Sequence, residues 1–458
     1  MPRSISPVGG GHGRPFGSPD FDVAEYGCEI AEYRVEGDAV SYEWSGVAGP
    51  DISGWWDSEA RPAAAYCVRV IIVRPTDPRR FNGVLMVNWQ NVTAGVDLGA
   101  PTRRDLERGY AWVGVTAQRI GIEGSPGMAG VLPRTPSLAE WDPTRYAALH
   151  HPGDAYSYDI YAQVGRLMRS VSQPDHPLTG LELNMVIAVG TSQSATRLGS
   201  YLNVAHRRDL VFDGFFVHLH LGVCPFLPDQ ELAPSLTPIG EGLYGGSSKI
   251  RDDGSVPIMV LCSESELVYN LPVRQPDTPT FRFLQIAGAA HVDLEVSASM
   301  AAVFERDGLP APLREQGGNE VQWQYIRDAA LQQLVDWIRT SRPPPSIAPI
   351  EIDTGWPLAV RRDRHGNALG GVRLPELEAP IATHLGTRTD TTNWLAALAG
   401  QTIPLSRDDL LCSTPDLAAY LSAWDSAVDR LAGLGLLLDD DVAMVRARGR
   451  SIATETFG

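Results

Sequence analysis

Apolar residues fall along the chain in short, nearly unbroken runs rich in β-branched side chains, set apart by polar or amphipathic stretches. Three such runs, YCVRVIIVRP from Tyr66, GVLMVNWQN from Gly83 and AWVGVTAQR from Ala111, are bounded by Pro, Gly or Asn and predict strands. LELNMVIAVG, FDGFFVHLHLG, VPIMVLCSESE and FRFLQIAGAAH repeat the pattern further on. CEIAEYRVEG and AVSYEWSG, nearer the start, read as edge strands, and the segment from Ile120 to Asp154 reads as a long loop. DIYAQVGRLMRS places Ile160, Val164, Leu167 and Met168 at helical spacing. Strands without polar alternation, interleaved with helices, predict an α/β fold around a mostly parallel sheet buried on both faces.

Two segments exceed that scaffold. Leu221 to Val256 lies between two strands, interrupted by Pro225, Pro228, Pro234 and Pro238, and reads as a lid-like insertion. After the helix VQWQYIRDAALQQLVDWIRTS, the stretch RPPPSIAPIEI is an extended connector into a C-terminal region with two further helical runs. The expected organisation is therefore a core over 1–342, with N-terminal strands and a possible lid at 221–256, followed by an extension over 343–458 packed on that core.

Charge removes several classes of function. A net charge of -17, without basic runs interleaved with aromatics, argues against nucleic acid as a partner. No apolar run approaches the roughly 20 residues that span a bilayer, and MPRSISPVGGGHGRPFGSPD lacks the apolar core of a secretion signal. Five well-separated cysteines form no CxxC pair, which suggests a reducing compartment and predicts a cytoplasmic protein. No glycine-rich nucleotide motif follows a strand, so no cofactor is expected.

The chemistry concentrates at VIAVGTSQSATRLG. A strand runs into Gly190 and Ser192 and then into helix-compatible sequence, the arrangement of a nucleophile elbow, with Ser194 in place of the second glycine. A serine hydroxyl needs a base, and the base needs an acid; in sheets of this type the order is Ser, then Asp or Glu, then His. His291 follows a strand and the Gly288-Ala289-Ala290 turn, and is the best placed of ten histidines. Glu264 and Glu266 both lie just past VPIMVLCS; the usual spacing favours Glu266. The oxyanion hole would combine the N–H of Gln193 with one from the turn NWQNVTAGVD, Asn91 or Val92. Trp89 beside that turn, and His220, are candidates for the substrate pocket. His218 and His220, two apart on a strand, raise the alternative of a metal-dependent hydrolase. The same triad would equally serve an acyltransferase, and a silent triad would leave a non-catalytic ligand-binding protein.

PVGGGHGRPFG, VNWQNVTAGVD, HPGDAYSYDIYAQ, VGTSQSATRLGSYLN, SESELVYNLPVRQPDTPTFRFLQIAGAAHVD and RDRHGNALGGVRLPELEAPIATHLG together resemble the bacterial and fungal α/β hydrolase domain-containing proteins, almost end to end. That resemblance implies an α/β-hydrolase fold, a serine hydrolase and the triad positions Ser192, Glu266 and His291. The expected activity is hydrolysis of a carboxylic ester or lactone of a fairly apolar small molecule; the oligomeric state is left open.

Overall fold

In the computed structural model, a central ladder is built on a twelve-residue antiparallel register. Strand β2 (Cys28–Ala39) pairs with β5 (Ala64–Pro75) from Cys28↔Pro75 to Ala39↔Ala64. The structure describes residues 2–45, 51–127, 133–171, 175–224, 247–254, 256–310, 318–353, 359–388, 390–391, 394–413 and 416–457. Most of the expected lid therefore lies outside the described residues.

The chain divides into two compact units. The first takes residues 1–258, 272–274 and 299–312; the second takes 259–271, 275–298 and 313–458. In the first unit, β1 (Ser4–Pro7), β2, β5, β7 (Ala111–Val115), β6 (Val84–Trp89), β8 (Met185–Thr191) and β9 (Gly214–His218) lie side by side in that order. β3 (Tyr42–Trp44) and β4 (Ser58–Ala60) form a separate hairpin. β5 joins β7 antiparallel, whereas β7, β6, β8 and β9 run parallel. Every residue of β6, β7 and β9 is buried, which is why these strands read as continuous apolar runs.

Two expectations change within this unit. β2 is not an edge strand, because β1, hidden in the glycine-rich N-terminal stretch, pairs with it from Ser4↔Glu36 to Pro7↔Tyr33. The expected loop after Ile120 contains short helices at Ile120–Glu123, Leu138–Trp141 and Pro143–Tyr146, the last two started by side-chain caps from Ser137 and Asp142. The helix Ser157–Arg169 forms as expected, with Tyr161 donating from its hydroxyl to the Val87 carbonyl at 2.6 Å.

In the second unit, β10 (Ile258–Ser263) and β11 (Phe281–Ile286) are neighbours. Chain beyond 342 extends this pair. Val372 donates to Gln285 O at 2.7 Å and accepts from Ala287 N at 3.0 Å, and Ile350 N donates to the Gln285 side chain at 3.2 Å. Residues far down the sequence thus complete the backbone pairing of β11. The helices Leu417–Gly433 and Asp439–Phe457 pack through Trp424, whose indole donates to Val445 O at 3.0 Å.

No described helix is long and apolar enough to cross a membrane. No disulfide joins Cys28, Cys67, Cys224 and Cys262.

Burial depresses two histidines, His206 and His384, from an ordinary value of 6.5 to about 4. The unfolded chain takes up these protons near pH 6.5 and the folded chain only near pH 4, so stability should fall as pH drops across that window. Urea midpoints between pH 7 and 4 should show this loss, and His384→Gln should flatten the slope.

Candidate active site

The turn after β8 is constrained by space. A Cβ at Gly190 would lie 2.6 Å from the Ser194 carbonyl, so only glycine lets the helix Gln193–Val204 fold back on the strand. Ser192 carries the reversal in a left-handed conformation, φ 61° and ψ -122°, uncommon for a residue with a side chain. Its N–H donates to His218 O at 2.8 Å, which fixes the corner to the end of β9. Ser194 explains its own departure from glycine. Its hydroxyl accepts from Thr191 N and donates to Thr191 O, both at 2.8 Å, so it closes the corner with hydrogen bonds.

The turn after β6 sits against this corner and requires a correction. Asn91 was expected as an oxyanion donor, but its N–H donates to Leu98 O at 2.9 Å and Leu98 N returns a bond to Asn91 O at 2.7 Å. Its side chain instead ties the turn to the elbow, Nδ2 donating to Thr191 O at 2.9 Å. Of the two candidates, Val92 is the residue whose N–H faces the elbow, 3.3 Å from Gln193 Oε1. As first residue of its helix, Gln193 has an N–H with no intrahelical acceptor.

The Gln193 side chain is held in turn by Gln118. Gln193 Nε2 donates to Gln118 Oε1 at 2.8 Å, the Trp89 indole N–H donates to the same oxygen at 3.2 Å, and Gln118 Nε2 donates to Asp154 Oδ2 at 3.0 Å. An indole only donates and a carboxylate only accepts, so both amides have one consistent orientation. Trp89 itself lies inside the core. It is 0% exposed, packed on Tyr161 and Tyr158 at ring separations of 4.9 and 6.0 Å.

The same turn is anchored below by Asp97. Arg69, buried on β5, lies 3.2 Å from Asp97 Oδ2 and 3.4 Å from Glu32 Oε1, and the Thr116 hydroxyl donates to Asp97. Burial pushes the Asp97 carboxyl above its ordinary value, against the pull of Arg69 and Thr116. Burial alone would lower Arg69; Tyr146, Asp97 and Glu32 outweigh it and raise it. Sequence reading missed Gln118, Asp97 and Arg69; the polar Gln118 ending an apolar run and the lone Arg69 inside one were the signals that could have found them.

His218 and His220 do not share a strand face. β9 ends at His218, and Leu219 turns the chain with φ 56°. His220 is buried, its Nδ1 accepting from Gly222 N at 3.1 Å and its Nε2 facing Cys224 Sγ at 3.7 Å, and so helps fasten the chain after β9. Among the described residues, no group of three or more His, Cys, Asp or Glu is placed to hold a metal ion.

In the second unit, Glu266 and His291 meet. His291 Nδ1 lies 2.6 Å from Glu266 Oε1; Glu266 is 0% exposed and His291 6%. Glu266 also accepts from Ser263 N at 2.6 Å and from the Ser263 hydroxyl at 3.0 Å. A carboxylate only accepts, so in the Glu266–His291 bond Nδ1 carries the proton, which leaves Nε2 as the acceptor of the neutral ring. Glu264 is committed elsewhere: it pairs with Arg362 at 2.7 Å and accepts from Gly288 N at 2.8 Å.

A strand–corner–helix serine after a parallel strand is the defining corner of the α/β hydrolases. The chain belongs to the family whose profile is described as an alpha/beta hydrolase domain, which matches residues 4–447. No curated protein sequence matches the chain. Among solved structures it is similar to a bacterial heroin esterase, with 15% identity, coverage of 70% of this chain and 87% of that one, and a TM-score of 0.32. A structure from work on two fungal esterases of Rhizomucor miehei gives 11%, 68%, 85% and 0.31 in the same terms. Oligopeptidase B from Trypanosoma brucei gives 11%, 56%, 39% and 0.27.

Gln118→Leu keeps the volume roughly constant and strips partners from the Trp89 indole and the Gln193 amide. A loss of about 1–3 kcal/mol is expected from the buried Trp89 indole left without a partner, the half-buried Gln193 amide adding less, read as a lowered urea midpoint against wild type.

Proposed function

We propose that the protein is a serine hydrolase that cleaves a carboxylic ester or lactone of a small molecule through an acyl-enzyme intermediate. The observation that carries this reading is Ser192, partly exposed and held at φ 61° by a corner that tolerates only glycine at position 190. The buried Glu266–His291 pair supports it, since a serine nucleophile needs an oriented base.

In this mechanism Ser192 Oγ attacks the carbonyl carbon while His291 Nε2 takes the hydroxyl proton. Glu266 holds the Nδ1 proton and stabilises the imidazolium. The oxyanion accepts from Gln193 N–H and from Val92 N–H, which exchanges its long bond to the Gln193 side chain for the charged oxygen. His291 then protonates the departing alkoxide; water, deprotonated by the same nitrogen, attacks the acyl-enzyme, and the second tetrahedral intermediate collapses with Ser192 Oγ leaving and taking that proton back, which releases the acid.

Intact-mass analysis after treatment with a fluorophosphonate tests the reading. Wild type should gain one adduct and Ser192→Ala none, and turnover of p-nitrophenyl butyrate should fall at least roughly 10⁴-fold in the variant. A folded wild-type chain that takes no adduct would sink it.

A further inference from the structure

The histidine loop is fastened by Glu264, Ser265 and Asn319, and these in turn, with Leu398 bonded to the loop itself, tie it to the C-terminal region. Glu264 accepts from Gly288 N at 2.8 Å, from Gly386 N at 3.4 Å and from Arg362 Nη2 at 2.7 Å, so both of its oxygens are engaged. Its backbone N–H donates to Ala289 O at 3.1 Å. The Ser265 hydroxyl accepts from His291 N at 2.9 Å and donates to the Gly386 carbonyl. Val292 N donates to Leu398 O at 3.1 Å, and Asn319 Nδ2 donates to Gly288 O at 2.7 Å and to Leu385 O at 3.0 Å. Gly386 fits because it has no side chain: a Cβ there would lie 2.6 Å from Glu264 Cβ and 2.8 Å from Ala289 O.

Glu264 is 5% exposed. A carboxylate that deep costs free energy unless a cation compensates it, and the compensating cation is Arg362, from the C-terminal region. We propose that Arg362 is a positioning residue of the acid–base pair, holding the Gly288–Val292 turn through Glu264 and so setting His291 against Glu266. Arg362, Gly386 and Leu398, from the C-terminal region, are then working parts of the site. This inference rests on His291 and Glu266 serving as base and acid in the proposed hydrolysis. Its physical basis is that a base displaced by a fraction of an ångström loses rate without losing substrate affinity.

The test uses the full-length chain with ¹⁵N-labelled histidine. In wild type, the Nδ1 proton shared by His291 and Glu266 should give a far-downfield resonance that His291→Gln removes. Arg362→Met should shift or broaden that resonance, and should lower both kcat on p-nitrophenyl butyrate and the rate of fluorophosphonate labelling on the order of 10- to 100-fold, with KM little changed. Arg362→Lys, which keeps charge and loses the planar fork, should fall between the two. Arg361→Met, which breaks exposed pairs to Glu351 and Asp353, is the control and should match wild type in all three readings. Should Arg362→Met fail to fold, the double variant with Glu264→Gln removes both charges and should show the same resonance and rate changes.

A folded Arg362→Met or double variant with the wild-type resonance and kcat overturns the proposal. So does a rate loss accompanied by an unmoved resonance, which would mark a general loss of stability. A wild-type chain that turns over no ester and takes no fluorophosphonate overturns the hydrolase reading instead, while the resonance still decides the role of Arg362.

Discussion

Close approach between a strand and the helix that follows it governs the first unit. For the chain to reverse at Ser192, the backbone at Gly190 must come so near the Ser194 carbonyl that no side chain fits between them. The cost of the left-handed serine is met by bonds on either side: His218 O on the Ser192 amide, and the Ser194 hydroxyl across both polar groups of Thr191. The turn after β6 then follows, because Asn91 reaches the same Thr191 carbonyl and Val92 faces the helix start. A local steric limit is thereby converted into the relative placement of a hydroxyl and two backbone donors.

Much of this architecture was legible in the sequence, for a physical reason. Strands buried on both faces exclude most polar residues, so β5 to β11 stand out as apolar runs. The elbow was legible because glycine, serine and a helix start must occur in order. What escaped was decided by distant partners. Nothing near Asn91 says that Leu98 will take its N–H, and nothing near Glu264 says that Arg362 will pair with it. Spacing two at His218 and His220 implied a shared face, but Leu219 leaves the strand conformation between them. Trp89 drew notice by lying beside a functional turn, yet its ring points among tyrosines.

Two polar networks, one in each unit, resolve the same problem differently. Around Gln118 the groups are neutral amides between a donor-only indole and an acceptor-only carboxylate, and direction is enforced by what each end is able to do. Around Glu264 the groups are charged, and placement is enforced by the penalty for leaving a buried carboxylate without its cation.

The directed amides at Gln118 also bear on how such a scaffold diverges. Glutamine and glutamate codons differ at a single base, and the two side chains are nearly equal in volume. Glutamate at 118 would set one carboxylate against another at Asp154, while packing around Trp89 stayed almost as it is. One point mutation thus reaches the polarity of the corner with almost no change in side-chain volume, at the cost of a second, buried carboxylate.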